Sequence, residues 1–285
     1  MKILITGGSG FIAQNLYTYF HKKYCVTKIS RQDFDLTDEG AVSTYLSTNK
    51  FDLIIQCAVY DGLNKYTTKS KDQILQQNLN IFFNFVKCKD LFGRMICFGS
   101  GAEYIKDNPY GFYQYIVTQY AQLVDYITVL RLFGVYGPYE DWRIRFISNA
   151  CCRAINNLPI IIHKERLMNY LYVEDLCKII DVFISNNRQH NIYNVCHLGE
   201  LLLTEIATFV NSLNNTKCPV IVMGEGQDLD YVGNNSQMMN EFGHLINFTS
   251  PRDGITKLYQ WYVDNPASYD IGFLKRQTDE YLSIL

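Results

Sequence analysis

Over the first half of the chain, short unbroken apolar runs alternate with longer stretches in which apolar residues recur at helical spacing. Residues 2–6, 24–29, 51–58, 94–98 and 128–133 read as strands buried on both faces, because their apolar positions are continuous rather than alternating. Between them, one helix is expected from near Gly10 to near His21. A long one is expected over 71–91, with Ile74, Leu75, Leu79, Phe82, Phe83 and Val86 on an apolar face that is core or subunit interface. Another begins at Pro109-Tyr110-Gly111. Strands and helices in this rhythm predict the α/β class with a doubly wound parallel sheet. Beyond Pro138 the pattern loosens. A loop and helix over 139–157, strands at 158–162 and 169–173, and a helix capped near Glu174 or Asp175 are followed by elements at 192–196, 203–213 and 219–223. A final helix is expected over 252–262. The division expected is 1–138, receiving segments near 168–196 as well, and 139–285, a smaller mixed α/β C-terminal domain interleaved with the first.

The first strand runs into Thr6-Gly7-Gly8-Ser9-Gly10-Phe11-Ile12-Ala13. A strand, closely spaced glycines and a helix start present backbone N–H groups to a pyrophosphate, which predicts a Rossmann-type dinucleotide site with Gly7, Gly10, Phe11 and Ile12 around the phosphates. Ala13 stands where a third small residue lets helix and strand touch. The end of the second strand distinguishes NAD from NADP, since an acid there holds the ribose 2′-hydroxyl and a cation accepts the 2′-phosphate. Ser30-Arg31 occupies it, which favours NADP(H) over NAD(H), against Arg31 as a solvated surface charge. Asp35-Leu36-Thr37-Asp38 is either a helix N-cap and nothing more, or an acidic residue with an apolar neighbour, Asp35 and Leu36, that embrace an adenine. Cys57-Ala58 closes a strand in small residues where a cofactor passes. On this reading 1–138 is the NAD(P)-binding domain and 139–285 mainly binds substrate.

Composition narrows the chemistry further. The chain has 285 residues and a formal net charge of −2, without a basic block, so neither nucleic acid nor an anionic membrane surface is an expected partner. No apolar run approaches the roughly 20 residues of a membrane span, and Lys2 leads straight into a strand, so a cytosolic protein is expected. Nine cysteines without a Cys-x-x-Cys pair, Cys25, Cys57 and Cys97 among them in apolar runs, read as buried thiols. His21, His163, His190, His197 and His244 show no ligand spacing, and no metal is expected.

Only nine residues separate Ser100 from Tyr110, so the two are candidates for one pocket. With the first turn, Phe98-Gly99-Ser100-Gly101-Ala102-Glu103-Tyr104, Phe133-Gly134-Val135-Tyr136-Gly137-Pro138 and Tyr170-Leu171-Tyr172-Val173-Glu174-Asp175, the chain resembles the extended short-chain dehydrogenase/reductase family, the NAD-dependent epimerase/dehydratases of nucleotide sugars. Arg31 with Asp35-Leu36-Thr37-Asp38 most resembles its 4-keto-6-deoxy-sugar reductases, such as GDP-fucose synthase and dTDP-4-keto sugar reductases. The resemblance implies a catalytic Ser or Thr, a Tyr, and a Lys four residues after the Tyr. Ser100 and Tyr110 match; Gln114 stands in the lysine position. The family lysine binds the nicotinamide ribose and, as a cation, lowers the tyrosine pKa from about 10. Gln114 keeps hydrogen bonds without the charge. Oxidation of a hydroxyl needs tyrosinate, whereas reduction of a ketone needs a neutral tyrosine as proton donor, so reduction is the direction this site tolerates. Ser100 would orient the ketone oxygen.

A 4,6-dehydratase is disfavoured, since the family's Asp-Glu after the catalytic Ser or Thr is replaced by Gly101-Ala102 and Glu103 is displaced by one, which reverses its face on an extended stretch. Met168 occupies the position of a family phosphate arginine. Arg166, two residues earlier on the same face, and Arg143, Arg145 and Lys164 are the candidates for a nucleotide-sugar substrate. Tyr113, Tyr115 and Tyr120 read as packing or subunit interface rather than substrate contacts, and the resemblance implies a homodimer through the helices at 71–91 and Tyr110. Three functions stay open: NADPH-dependent reduction of a nucleotide-linked 4-keto-6-deoxy sugar for surface polysaccharide precursors, a non-catalytic NAD(P)-binding regulatory or sensor protein, and a nucleotide-sugar epimerase.

Overall fold

The computed structural model describes residues 1–61, 67–104 and 108–283. The chain forms two compact units, Met1–Leu132 with Cys177–Val195 and Asn235–Leu245, and Phe133–Leu176 with Cys196–Asn234 and Ile246–Leu285.

In the first unit β1 (Lys2–Thr6), α1 (Phe11–Phe20), β2 (Cys25–Ile29), α2 (Glu39–Thr48), β3 (Phe51–Gln56), α3 (Lys71–Lys87), β4 (Phe92–Ser100), α4 (Pro109–Ala121) and β5 (Ile127–Leu132) follow one another. With β9 (Ile192–Val195) the strands make one parallel sheet in the order β2-β1-β3-β4-β5-β9. The continuous apolar runs are the reason for that placement: Ile3, Leu4, Ile5, Leu53, Ile54 and Ile55 have no exposed surface, as strands covered by helices on both faces require. The chain turns one way from β1 to β2 and the other way to β3, so the sheet's switch point lies beside β1.

Local signals set the helix starts. Asp38 caps α2 by accepting from the Ala41 N–H, so the expected cap is real. Ser70 and Gln73 form a reciprocal capping box on α3. Asn108 accepts from the Gly111 N–H at 2.6 Å ahead of Pro109, which places Tyr110 second in α4. The helix expected over 71–91 ends at Lys87, and Lys89–Leu91 is a separate 3-10 turn. Of its expected apolar face, Ile74 and Phe82 are buried and Leu75, Leu79, Phe83 and Val86 only partly so, while Asn78, Ile81, Asn84 and Phe85 are buried as well. Two asparagines can go inside because loops claim them. Asn78 accepts from the Tyr60 N–H at 2.9 Å and donates to the Asp61 carbonyl at 3.0 Å, and Asn84 donates to the Leu36 carbonyl at 2.9 Å. Tyr120 packs edge-on against Phe82 and Phe83, and Tyr113 is buried. Cys25, expected inside, is exposed, because β2 is the edge strand.

The second unit begins with β6 (Gly134–Tyr136), α5 (Phe146–Ile155), β7 (Ile160–Ile162) and β8 (Leu167–Tyr172). α6 (Val173–Ser185) starts there and ends in the first unit. β10 (Glu200–Leu202), α7 (Leu203–Ser212) and β11 (Val220–Val222) follow, then α8 (Ser236–Phe242) in the first unit, and α9 (Pro251–Asp264) and α10 (Ile271–Leu282) in the second. β10-β8-β6 form a mixed sheet and β11-β7 a parallel pair. The helix expected over 252–262 is α9, and α10 follows it. α10 lacks a continuous apolar stripe because its buried face includes Gln277 and Thr278. These receive hydrogen bonds from the fully buried Arg153 of α5, each at 2.7 Å.

Candidate active site and cofactor cradle

The glycine turn sits at the C-terminal end of β1, beside the switch point. Gly7 has φ +66°, and a Cβ on it would stand 2.9 Å from the Ala58 Cα, so neither the backbone nor the space admits a side chain. Thr6, fully buried, fixes this approach by accepting from the Ala58 N–H at 3.1 Å; no expectation had picked it out, although it is the first polar residue after the apolar run. Gly8 donates to the Ile29 carbonyl at 2.7 Å and Gly10 to that of Gly7 at 2.8 Å, which closes the turn onto β2. Gly10 is the N-cap of α1, contributes no capping side chain, and is followed by no acidic residue in the first turn. The N–H groups of Phe11 and Ile12 therefore open a helix whose positive end is left to an anion. Ala13 is fully buried against the sheet.

The loops after β2 and β3 border the same edge. Arg31 is exposed, with its Cζ 5.5 Å from the centre of the Tyr60 ring. The Asp35 carboxylate accepts from the Thr37 N–H and hydroxyl, both at 2.9 Å, which together with Arg31 holds its pKa below the ordinary range. Leu36 is 8% exposed and packs into the core. Burial pushes the Cys57 thiol well up, with Cys177 and Cys97 as lesser causes, so it stays protonated.

Ser100 is the last residue of β4, and its Oγ accepts from the Ala102 N–H at 3.2 Å. α4 packs along β4 and along the 3-10 turn Gly101–Tyr104, so the element carrying Tyr110 and Gln114 lies beside the strand that ends in Ser100. Tyr110 and Gln114, four apart, share one face of α4. Gln114 is 1% exposed, and its Oε1 has no hydrogen-bond partner among the described residues. A buried acceptor without a donor is costly unless a ligand supplies one. With the Gly7 cradle and the bare N-terminus of α1, it fits a dinucleotide whose ribose and phosphates complete those bonds.

Glu103 is turned inward. It accepts from the Thr118 hydroxyl at 2.6 Å and pairs with Arg131. An acidic residue among small ones in the Ser100 turn was the available signal, but its partner lies 28 positions on in β5.

The candidate phosphate arginines are all in the second unit, in different settings. Arg143 is held in a two-pronged bond by Asp141, both contacts at 2.8 Å. Arg166 donates to the Leu229 carbonyl at 2.6 Å and lies 5.8 Å from the Tyr231 ring. Arg145, exposed at the N-cap of α5, has no ion-pair partner among the described residues. Among those residues no group of three His, Cys, Asp or Glu is placed to hold a metal, none of the nine cysteines is in a disulfide, and no helix is long and apolar enough to cross a membrane.

The family described as "NAD dependent epimerase/dehydratase family" matches residues 3–196. The chain belongs to that family. It is 24% identical to the GDP-6-deoxy-D-talose 4-dehydrogenase of Aggregatibacter actinomycetemcomitans over 91% of this chain and 97% of that one. It is 22% identical to a dTDP-D-glucose 4,6-dehydratase of Dictyostelium discoideum over 68% of this chain, a match that spans 58% of the relative's length. Among solved structures, the fold is similar to a GDP-L-fucose synthetase from Naegleria fowleri bound to NADP, with a TM-score of 0.80 over 93% of each chain at 16% identity. It is also similar to the Bordetella bronchiseptica enzyme WbmG in complex with NAD, with a TM-score of 0.79 over 95% and 96% of the chains at 20% identity.

Proposed function

We propose that the protein is an NADPH-dependent reductase of a nucleotide-linked 4-keto-6-deoxy sugar, serving the synthesis of surface polysaccharide precursors. The observation that carries the reading is Gln114, a neutral amide buried one helical turn from Tyr110. An amide supplies no positive charge to favour tyrosinate, so the site is suited to giving a proton rather than taking one. A reduced nicotinamide, when bound, would supply hydride to the carbonyl carbon. Tyr110 gives its Oη proton to the carbonyl oxygen as the C=O electron pair moves onto it, and the Ser100 hydroxyl hydrogen-bonds the same oxygen. Gln114 Oε1, left without a donor by the described residues, would accept from a hydroxyl of the bound cofactor. Arg31 favours the 2′-phosphate of NADP. Arg145, which is exposed and forms no ion pair among the described residues although the Glu140 and Asp141 carboxylates feel its charge, is the first candidate for the substrate phosphates, ahead of Arg143 and Arg166. A relative that acts at position 4 of a GDP-6-deoxy sugar, the GDP-6-deoxy-D-talose 4-dehydrogenase, supports a nucleotide-linked 6-deoxy sugar as the substrate. A homodimer through α3 and α4 and a cytosolic setting complete the reading.

A second reading, a non-catalytic NAD(P)-binding protein, is favoured by the same lost lysine. NADPH oxidation against a panel of nucleotide-linked 4-keto-6-deoxy sugars, with Tyr110→Phe as control, separates the two. Turnover that disappears in the variant establishes the reductase; tight NADPH binding without turnover on any member favours the binding protein.

A further inference from the structure

We propose that Lys69 acts with Arg31 as a second cationic determinant for a phosphate at the 2′ position of the adenosine ribose, the two being gathered around the ring of Tyr60. The inference rests on the NADP reading and extends it to a residue 38 positions beyond Arg31, outside the glycine turn and the end of β2.

Three observations converge. The Lys69 Nζ lies 5.6 Å from the centre of the Tyr60 ring and the Arg31 Cζ 5.5 Å from it, so one aromatic ring holds both cations. Neither has a carboxylate within 4 Å among the described residues. Of the nearby acids, Asp33 accepts from the Ser30 N–H and hydroxyl and Asp61 from the Thr67 hydroxyl, while Asp35 accepts from the Thr37 N–H and hydroxyl and feels the charge of Arg31 without forming an ion pair with it. Two cations at one ring, neither in an ion pair among the described residues, offer a dianionic phosphate at that ring two points of attraction.

The ring is a fixed platform rather than a surface side chain that happens to lie close. Tyr60 packs against the core of the first unit, and its N–H is held by the Asn78 side chain, which is itself fully buried. Lys69 is tethered in turn, since its N–H donates to the Thr67 hydroxyl at 3.2 Å, and that hydroxyl is bonded to Asp61. The location is also that of a cofactor. β2 and β3 flank β1, so the segments carrying Arg31 and Tyr60 lie either side of the glycine turn at the C-terminal edge of the sheet, where dinucleotides bind.

The test is to measure dissociation constants for NADPH, NADH and 2′,5′-ADP with the full chain, with Lys69→Gln and with Arg31→Gln, at low and at physiological salt, after thermal melts show the variants folded. We expect the unaltered protein to favour NADPH, and Lys69→Gln to weaken NADPH and 2′,5′-ADP by roughly fivefold or more, to leave NADH within twofold, and to reduce the salt dependence. NADPH preference that survives Lys69→Gln unchanged overturns the role of Lys69 and leaves the NADP reading standing on Arg31. Equal affinity for NADPH and NADH in the unaltered protein overturns both.

Discussion

The Arg131 Nη2 lies 2.5 Å from the Glu103 Oε1, with the two side chains 12% and 5% exposed. Arg131 also donates to the Asn194 side chain at 2.6 Å, and Glu103 accepts from Thr118. The carboxylate thus ties the turn after Ser100 to β5 and to α4. Glu103→Ala leaves a buried guanidinium without its counter-charge and should cost about 3–5 kcal/mol of stability in urea denaturation. A Glu103→Gln protein as stable as the original but devoid of turnover would instead assign the carboxylate to the chemistry.

The unpartnered Gln114 Oε1 makes two effects of opposite sign available from one substitution. Gln114→Met keeps the side-chain length and removes the orphan acceptor, so the ligand-free protein should be more stable by about 1 kcal/mol. Dinucleotide affinity should fall in the same variant. Melting curves with and without NADPH read both: the free protein melts higher and the ligand-induced rise shrinks.

At Gly7 backbone and space act together. Gly7→Ala must place a Cβ at 2.9 Å from the Ala58 backbone at φ +66°, which should cost roughly 1–3 kcal/mol. It should also abolish dinucleotide binding as seen by calorimetry, whereas Gly226→Ala, also at positive φ but with open space around it, should bind normally.

Glu140 gives a pH dependence confined to the second unit. Burial pushes its carboxyl from the ordinary 4.5 up to about 7, opposed by Arg145 and by the hydroxyl of Ser148, which donates at 2.6 Å. Because the folded state holds this proton more tightly than the unfolded one, stability falls as pH rises from about 4.5 to 7 and is level above that. The loss attributable to this group is on the order of 3 kcal/mol. Denaturation of the protein and of Glu140→Gln across pH 4.5–8 checks it: the two should diverge with rising pH, the variant being the more stable at pH 8.

How far the fold and the site can be read along the chain follows from the range of the interactions involved. A parallel strand covered on both faces needs a continuous apolar run, a pyrophosphate turn needs glycine where φ is positive and space is closed, and helix starts need Asp38, Ser70 or Asn108. Each requirement is met within a few residues, so the strands of the first sheet, the glycine turn after β1, the strand end near Ser100 and the helix start at Tyr110 were legible in the amino-acid order alone. The burial of Asn78 and Asn84, the pairing of Glu103 with Arg131, the fastening of α10 by Arg153 and the gathering of Arg31 and Lys69 at Tyr60 were decided only by the tertiary structure. In these cases a polar group is buried, or a charge held in place, by a partner that sequence spacing does not specify. Local periodicity records which face of an element is apolar, whereas the satisfaction of a polar group depends on which distant residue the fold brings to it.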